Sequence, residues 1–434
     1  MIFTLIGLYI IYLGFTNFKM GFLWMLVYKI VLVQNINMVA IPGLPLLTMD
    51  NFLVMAYIVL FYRKYKNYVC AVKFPYKVPY TLMCISWILS AIFSLVGFAS
   101  AITQCLGNFI CQSAILTYMM WVLLEEEEYF KWLFKRFTYV FLFAALYAFF
   151  EQMTHTNPIK EYEMSLMTDE TRLIDFDYSE DDRGWRVQSI FEHAIGSGIN
   201  FALYCLFAFA LLIKYKMQYA PNFRKIVLLT GVLSIPASIF SNSSSPIIFM
   251  AISMLGLVDL RNSKFWGAAL GLGVLFVVGG SMFSSYSDNI MRFFDSSAQD
   301  RVGGSSIEMR LSQLEASWQL MTQSPLFGLG FKFRTVLSNS LTEALLGMES
   351  VWFSVLTQFG LVGVVAYSTM MIYSIIVVPR KFHSKPAFFL SLAYWFTSSI
   401  TSIPGTLTYM YYLMLIFFIK QSDKYKSIKN SFYA

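Results

Sequence analysis

The chain has few charged residues, and this shortage excludes an ordinary soluble protein. Of its 434 residues only 13% are charged, whereas 57% are hydrophobic. A soluble domain carries about 25% charged residues, because its surface must be solvated. The apolar residues recur in runs along the whole chain, and backbone groups in lipid must be satisfied within their own segment, so the runs predict helices. Alternating strands of about ten residues, as in a membrane barrel, are not visible.

Cysteine and histidine are also scarce, which argues against a metal centre or a disulfide framework. The five cysteines contain no CxxC pair and are Cys70, Cys84, Cys105, Cys111 and Cys205. The three histidines are far apart in sequence, at His155, His193 and His383. No cluster of Asp residues suits Mg²⁺, and no phosphate-binding nucleotide loop occurs. The sequence therefore predicts no metal and no cofactor.

The apolar runs predict an all-α, polytopic integral membrane protein with about 12 to 13 transmembrane helices. The N-terminal run lacks a basic region and a cleavage site, so it is predicted to be a retained helix. The predicted spans are 2–16, 20–34, 50–62, 78–97, 103–124, 137–153, 196–213, 225–240, 245–259, 265–283, 351–378, 386–402 and 404–420.

The positive charges orient these spans. Lys and Arg cluster in alternate connections, at 63–77, 131–136, 214–225, 261–264, 380–385 and 420–429. Such clusters are typical of cytoplasmic loops, and they explain the net charge of +7 without nucleic acid. The two longest polar segments then share the opposite side. The predicted division is 1–153 for the N-terminal helices, 154–195 for the first large extracytoplasmic loop, 196–283 for the central helices, 284–350 for the second large loop with an amphipathic helix, and 351–434 for the C-terminal helices and cytoplasmic tail.

The first candidate site lies where the acidic loop 154–195 returns to the membrane, in the segment GWRVQSIFEHAIG over 184–196. Arg186 and His193 are seven residues apart, so they would share a face if the segment were helical. An arginine at the membrane boundary can hold a phosphate with its planar fork of donors. The alternative is an arginine that snorkels to the interface beside a histidine bonded to backbone.

The second candidate site lies in the loop 284–350. Apolar residues at helical spacing predict an amphipathic helix over 307–321, namely Ile307, Leu311, Leu314 and Trp318. Pro325 prevents its continuation, and Gly328 and Gly330 permit a tight turn in the segment FGLGF. This helix could simply lie on the bilayer surface. Against that reading, four arginines occupy this one outer loop, at Arg292, Arg301, Arg310 and Arg334.

The third candidate is Glu349, at the outer end of the long apolar run 351–378. A carboxylate there can pair with an arginine, or its pKa can rise through desolvation. A simple charge that favours the N-terminus of the helix is an equal alternative. The helix that follows contains Gly-Leu-Val-Gly over 360–363.

Taken in order, the three groups form a pattern: Arg-x4-Phe-x-His, then Arg-x7-Trp-x6-Pro-Leu-Phe-Gly-x-Gly, then a polar turn into a helix with Gly-Leu-x-Gly. This pattern, from Arg186 to Gly363, resembles the O-antigen polymerase and ligase superfamily. The resemblance implies a GT-C-like membrane glycosyltransferase of the bacterial cytoplasmic (inner) membrane with its active site facing outward. Its donor and acceptor would be undecaprenyl-diphosphate-linked glycans, and no nucleotide or metal would be required.

The resemblance also implies roles for single residues. Arg186 and Arg310 would bind the diphosphate, with Arg183 and Arg334 as further candidates. Gly328 and Gly330 would shape the loop. The acceptor hydroxyl needs a base, for which Glu349 is the first choice, with His193 and Glu192 as substitutes. His193, Glu192, Arg183 and Arg334 therefore complete the predicted site.

Two departures from the family pattern bear on the activity. Ligases carry a His before the Gly-Leu-x-Gly helix, where this chain has Glu349 and Ser350, which favours a repeat-unit polymerase. The segment SNSSSP over 241–246 is a short Ser-rich outer turn. The Arg that family members often carry after such a turn is missing, since Ser245 and Pro246 stand there.

Two alternatives remain, a ligase that transfers glycan to a lipid or protein acceptor, and a flippase for lipid-linked sugars. A transporter should carry charge near the middle of its spans and often has duplicated halves. The predicted spans are nearly free of charge and no repeat is visible. The expected partners are membrane lipid and the glycan substrates, with a chain-length regulator as a candidate and no nucleic acid.

Overall fold

The computed structural model describes residues 2–31, 37–39, 47–69, 73–165, 185–191, 193–215, 219–258, 307–345, 348–401, 406–422, 425 and 427. In these residues the fold is helical, apart from a two-stranded antiparallel ladder that pairs Asn37 with Thr48 and Val39 with Leu47. The predicted span 265–283 lies outside the described residues. The all-α, polytopic prediction is confirmed.

The elements follow in chain order. They are α1 (Ile2–Thr16), α2 (Phe18–Val31), β1 (Asn37–Val39), β2 (Leu47–Thr48), α3 (Met49–Val69), α4 (Lys77–Ile92), α5 (Phe98–Leu123), α6 (Glu127–Thr154), α7 (Pro158–Ser165), α8 (Ala194–Lys214), α9 (Pro221–Ile239), α10 (Ser244–Met254), α11 (Ile307–Met321), a 3-10 turn (Phe333–Thr335), α12 (Ser340–Ala344), α13 (Val351–Lys381), α14 (Lys385–Ile400) and α15 (Thr406–Lys420). Within α5, α8 and α13 a π-helical stretch widens the helix, over Cys105–Ile115, Ala210–Lys214 and Tyr373–Val377.

Five helices among the described residues are long and apolar enough to cross a membrane, namely α5, α6, α8, α9 and α13. Shorter apolar helices accompany them, including α4, α10 and most of α15. Their positions agree with the predicted spans because a run of apolar side chains without charge is favourable in lipid only as a helix. The main difference is α6, which begins at Glu127, ten residues before the predicted span.

The basic connections meet at one end of the helices, here called the basic end. Lys420, the last residue of α15, donates from Nζ to the carbonyls of Trp121 and Leu124, the latter at 2.9 Å. A cation there satisfies carbonyl groups that the end of α5 leaves open. Lys385 Nζ donates to Val258 O at 2.7 Å, and Lys19 Nζ lies 3.3 Å from Glu126 Oε1.

The polar loops meet at the opposite end, here called the loop end. The backbone N–H of Val187 donates to Phe240 O at 3.0 Å, and that of Leu95 donates to Leu329 O at 3.1 Å. Six residues of this end, including Leu329, form a small hydrophobic cluster separate from the main core between the spans, namely Ala316, Leu320, Leu329, Phe333, Leu345 and Met348. The described parts of the basic and polar connections are thus segregated, as the alternation of spans predicts.

Charge is buried in the spans more often than the sequence suggested. Lys29 Nζ lies 2.6 Å and 2.8 Å from the two carboxylate oxygens of Asp50, and it also donates to Gln112 Oε1 at 2.8 Å. Glu151 is fully buried in α6. These residues are exceptions within spans that are otherwise nearly free of charge, as predicted. All three charges stand within a few residues of the helix ends that face the loop end, rather than at mid-span.

Candidate active site

The amphipathic helix α11 packs against the protein through its smaller residues. The face formed by Gln313, Ala316, Ser317 and Leu320 is buried, whereas the apolar row of Leu311, Leu314 and Trp318 is exposed. Small side chains allow close packing on this side, and the exposed apolar row is the kind of surface that a membrane interface covers. The helix lies where the sequence predicts it, and its apolar row faces outward.

Arg310 and Glu349, predicted separately as a phosphate ligand and a base, form an ion pair. Nε and Nη2 of Arg310 donate to Glu349 Oε2 at 3.1 Å and 2.8 Å. The two side chains are 22% and 25% exposed, so most of their surface is desolvated while both remain reachable. The structure thus brings together two residues that are 39 positions apart in sequence.

Gln313, one turn beyond Arg310 on α11, fixes the backbone of Glu349. Its Oε1 accepts from the Glu349 N–H at 3.2 Å. Because an N–H needs an acceptor, this contact sets the orientation of the amide. Gln313 Nε2 is buried and makes no hydrogen bond within the part of the chain that the structure describes. Ser350 follows as the N-cap of α13 and accepts from the Trp352 N–H at 3.2 Å.

The segment from Pro325 to Gly330 enters a break in α13. At Gly360 the helix has a φ of 60° and a ψ of −158°, which opens its hydrogen-bond ladder. The N–H groups of Leu329 and Gly330 donate to the carbonyls of Thr357 and Gln358 at 2.8 Å and 3.1 Å. In return, the N–H groups of residues 361 and 362 donate to the carbonyls of residues 325 and 326 at 2.9 Å and 3.1 Å.

Glycine is required on both sides of this junction. Gly328 and Gly330 have φ values of 71° and 90°, where L side chains are strained. A Cβ at Gly328 would come within 2.5 Å of the Gln358 backbone, and one at Gly330 within 2.0 Å of Ser94 Oγ. The two predicted loop-shaping glycines therefore serve a close approach between the loop and α13, as well as a turn.

The Arg186 segment is irregular rather than helical, so Arg186 and His193 do not share a helical face. Residues 185–188 have no regular secondary structure, and α8 begins only at Ala194. Arg186 is half-buried, and its Nε donates to Ser241 O at 3.4 Å. Beside it, the Trp185 ring is stacked on His155 with centroids 5.4 Å apart. The prediction of a shared face fails because the chain turns sharply between Gln188 and Phe191.

His193 is the N-cap of α8. Its Nδ1 accepts from the Ile195 N–H at 3.1 Å. A neutral histidine that accepts at Nδ1 carries its proton on Nε2, so Nε2 is a donor in this arrangement. From the sequence, a histidine bonded to backbone is the alternative to a shared helical face. The contact between His193 Nδ1 and the Ile195 N–H is a bond of that kind.

The remaining predicted residues are less informative. Arg334 Nη1 donates to Leu345 O at 2.8 Å and ties the turn after the glycines to the end of α12. Arg183 and Glu192 lie outside the described residues, as do Arg292 and Arg301. Among the described residues no group of three or more His, Cys, Asp or Glu side chains could hold a metal ion.

Two helices connect the Arg186 segment with the Arg310–Glu349 pair. Ser241, which contacts Arg186, lies in the turn before α10. Helix α10 packs along α14, since Gly256 just beyond α10 lies directly against Pro386 at the start of α14. At the far end of α14, Ser399 Oγ accepts from Trp352 Nε1 at 2.9 Å. Trp352 is three residues after Glu349, so both groups belong to the loop end.

Two residues of this region were not predicted from the sequence, Gln313 and Glu151. Glu151 accepts hydrogen bonds from the backbone two and three residues beyond Arg186. A carboxylate inside an apolar span is a functional candidate by default, and this signal was present in the predicted span 137–153. Gln313 carries no such signal, because a polar residue on a surface helix is ordinary.

The chain was compared with known families and with curated proteins. Residues 229–368, about a third of the chain, match the family model described as O-antigen ligase. This segment contains Arg310, the two loop glycines, Gly360 and Glu349, while Arg186 and His193 precede it. No curated protein matches the chain. The helical fold and the order of these residues are consistent with this match, which supports a relation of the segment 229–368 to the O-antigen polymerase and ligase superfamily.

Proposed function

We propose that this protein is a membrane glycosyltransferase that polymerises polyprenyl-diphosphate-linked oligosaccharide repeat units into a surface polysaccharide. The observation that carries the proposal is the Arg310–Glu349 ion pair at the start of α13. It combines a planar cation for a diphosphate with a carboxylate that can accept a proton, on the end of the molecule that also holds Arg186.

The reaction needs few components. A hydroxyl oxygen of the acceptor sugar forms a bond to the anomeric carbon of the donor, and the bond from that carbon to the diphosphate oxygen breaks. The hydroxyl proton passes to Glu349, and polyprenyl diphosphate leaves with the electron pair. Arg310 and Arg186 stabilise the negative charge that grows on the leaving group. The reaction needs no nucleotide, and in this proposal the two arginines supply the positive charge that a metal ion supplies elsewhere.

The ion pair must open for this reaction. Glu349 occupies both Nε and Nη2 of Arg310, which are the donors that would face a phosphate. An incoming diphosphate carries more negative charge than one carboxylate, so it can displace Glu349 from these two N–H donors of Arg310. Glu349, released from Arg310, can then accept the proton of an acceptor hydroxyl. Substrate binding would in this way make the base available.

The histidine alternative receives less support. While Nδ1 of His193 caps α8, the proton on Nε2 makes that nitrogen a donor. We propose that His193 donates to a phosphate or sugar oxygen and that Glu349 accepts the proton. Glu192, Arg183 and Arg334 keep the roles that the sequence assigns them as predictions only.

The same family match is equally compatible with a ligase that transfers glycan to a lipid or protein acceptor. The feature that favours the polymerase is Glu349, which stands where ligases carry a His. A flippase is less favoured, because the buried charges of the described spans lie near the helix ends.

The proposal further places the protein in a bacterial cytoplasmic membrane with the loop end outside. Its substrates would be undecaprenyl-diphosphate glycans, its product O-antigen, capsule or exopolysaccharide, and its candidate partner a chain-length regulator.

The test uses the purified full-length protein with undecaprenyl-diphosphate repeat units and no nucleotide. We expect a ladder of polymer lengths on a gel. Arg310→Ala and Arg186→Ala should abolish the ladder, because each removes a cation from the leaving group. Arg380→Ala, an exposed cation at the basic end, is the matched control and should leave the ladder unchanged.

Each other outcome points to a different function. A ladder from the Arg310→Ala variant contradicts the assigned role of this arginine. Transfer of a single glycan to an acceptor without a prenyl diphosphate identifies a ligase. Movement of lipid-linked units across liposomes without any new glycosidic bond identifies a flippase.

A further inference from the structure

The Arg186 segment is attached to the bundle through a carboxylate that the proposed reaction does not use. Glu151 is fully buried, one turn before the end of α6. Its Oε1 accepts from the Gln188 N–H at 3.0 Å, and its Oε2 accepts from the Ser189 N–H at 2.7 Å. We propose that Glu151 is a positioning residue that holds the Arg186 segment in its substrate-binding conformation. This inference rests on the proposed role of Arg186.

The turn that Glu151 holds has an unfavourable backbone. Ser189 has a φ of 53°, in the left-handed region that residues other than glycine rarely occupy. Such a conformation persists only where the surroundings determine it fully, and it is concentrated at functional sites. The turn closes with the Phe191 N–H donating to Gln188 O at 3.1 Å.

Every polar group of Ser189 is held by the bundle. Its N–H is bonded to Glu151, its Oγ donates to Ala144 O at 2.8 Å, and its carbonyl accepts from Asn157 Nδ2 at 3.0 Å. Asn157 is itself buried, and its Oδ1 accepts from the Tyr147 hydroxyl at 2.9 Å. Three neighbouring parts of the structure, α6, the start of α7 and the turn itself, therefore converge on one strained residue.

A carboxylate suits this position better than its amide would. Two backbone N–H groups point at one side chain, and an ionised carboxylate offers acceptors on both oxygens. Glutamine would offer one acceptor and would turn an N–H₂ group toward the second N–H. The charge-assisted bonds are also stronger than neutral ones. Glu151→Gln therefore keeps the shape of the side chain while removing one of its two hydrogen-bond acceptors.

The turn is the inner anchor of Arg186, and a second anchor lies on the other side. The Val187 N–H donates to Phe240 O at 3.0 Å, and Arg186 Nε donates to Ser241 O at 3.4 Å. The segment is thus attached by hydrogen bonds to α6 on one side and to the turn before α10 on the other. If the inner anchor is released, Arg186 loses its fixed position relative to a bound diphosphate. A misplacement of about 1 Å can lower a rate about a hundredfold.

The effect should fall on both substrate binding and the chemical step, because Arg186 is proposed to contact the diphosphate before and during its departure. We expect Glu151→Gln to raise KM for the lipid-linked donor and to lower kcat/KM about tenfold or more. The control is Asp50→Asn, which removes another buried carboxylate near the loop end, paired with Lys29 in α2. It should lower thermal stability without raising KM.

A second measurement reports on the turn without using activity. Hydrogen–deuterium exchange followed by mass spectrometry measures the protection of the amides in peptides covering 187–191. We expect Glu151→Gln to lower this protection and Asp50→Asn to leave it unchanged. Ser189→Gly removes the strain, because glycine adopts a positive φ readily. The effects of Glu151→Gln and Ser189→Gly should therefore be non-additive in a double-mutant cycle.

The outcomes separate the two proposals. Unchanged amide protection in Glu151→Gln overturns the positioning role, and so does full additivity with Ser189→Gly. Lost protection with an unchanged KM shows that the position of the segment does not matter for binding and also overturns the inference. A wild-type protein that makes no polymer overturns the proposed function, and the exchange measurement then still decides whether Glu151 orders this segment.

Discussion

Glu349 and Arg310 illustrate how a pair of residues gains meaning from its geometry. In sequence each has a plain alternative, a charge at a helix N-terminus for Glu349 and a solvated cation on a surface helix for Arg310. The bonds at 2.8 Å and 3.1 Å make these alternatives insufficient, because each residue is the partner of the other. Partial burial strengthens the pair, since fewer water molecules compete for either charge.

The first prediction concerns Glu349→Gln. We expect kcat for chain growth to fall about 100-fold to 10,000-fold, the usual contribution of a general base. KM for the donor should not rise, because the change also removes the carboxylate that competes for Arg310. Steady-state kinetics on purified protein measure both quantities.

The control for this prediction exchanges the two charges. Arg310→Glu combined with Glu349→Arg keeps an ion pair and should keep the protein folded, as judged by its thermal midpoint. It should remain inactive, because neither group is then where the reaction needs it. An active charge-exchanged protein would show that the pair has only a structural role.

At the scale of elements, the junction between the loop 325–330 and α13 defines the site. A helix interrupted inside a membrane protein exposes carbonyl and N–H groups that must find partners. Here the loop supplies the partners for these groups. At Gly330 the loop ends its hydrogen bonding with α13 and lies against Ser94, just after α4. Because α11 leads directly into this loop and Glu349 directly precedes α13, the junction also limits the distance between Arg310 and Glu349.

The second prediction concerns Gly360→Ala. A φ of 60° with a ψ of −158° is accessible to essentially no residue except glycine. A Cβ there would lie 2.7 Å from Gly328 N, which is backbone and cannot rotate away. We expect a destabilisation of at least about 1–3 kcal/mol and a loss of activity. Thermal unfolding in detergent measures the first effect.

The matched control is Gly107→Ala in α5, where an added Cβ would meet, among the described residues, only Asn51 Nδ2 at 4.0 Å. This variant should be as stable as the wild type. If Gly360→Ala matched it in both stability and activity, the close contact between the loop and α13 would not be important for the site.

For the whole molecule, the separation of the basic end from the loop end is the main architectural fact. Lys420 and Lys385 contact backbone carbonyls at the basic end. The two candidate arginines, Arg186 and Arg310, belong to the loop end. Clustered basic connections are typical of the cytoplasmic side of membrane proteins, so this separation predicts the orientation of the chain. The proposed function requires the loop end to face outward.

The third prediction tests this orientation. In a variant without the five native cysteines, Glu343→Cys at the loop end should react with a membrane-impermeant maleimide in right-side-out vesicles. Lys381→Cys at the basic end should react only in inside-out vesicles. Both positions are exposed. The opposite pattern would reverse the topology and contradict an outward-facing site.

The candidate site could be predicted only in part. Arg186, Arg310, Glu349 and the two glycines were identified from motif order, but their relations were not. The expected helical face shared by Arg186 and His193 does not exist, because a strained turn at Ser189 interrupts the segment. Gln313 was missed because a polar residue on a surface helix is ordinary, whereas Glu151 was missed although a carboxylate inside an apolar span is a signal.

The sequence by itself determined the helical class, the position of most helices and the separation of basic from polar connections. These properties depend on composition within a short window, through the cost of placing charge and unsatisfied backbone in lipid. Only the tertiary structure decided that Arg310 meets Glu349, that α13 breaks at Gly360 to admit the loop, and that Glu151 holds the Arg186 turn. Each of these contacts joins residues at least 28 positions apart, and such contacts depend on how the helices pack together rather than on any local pattern.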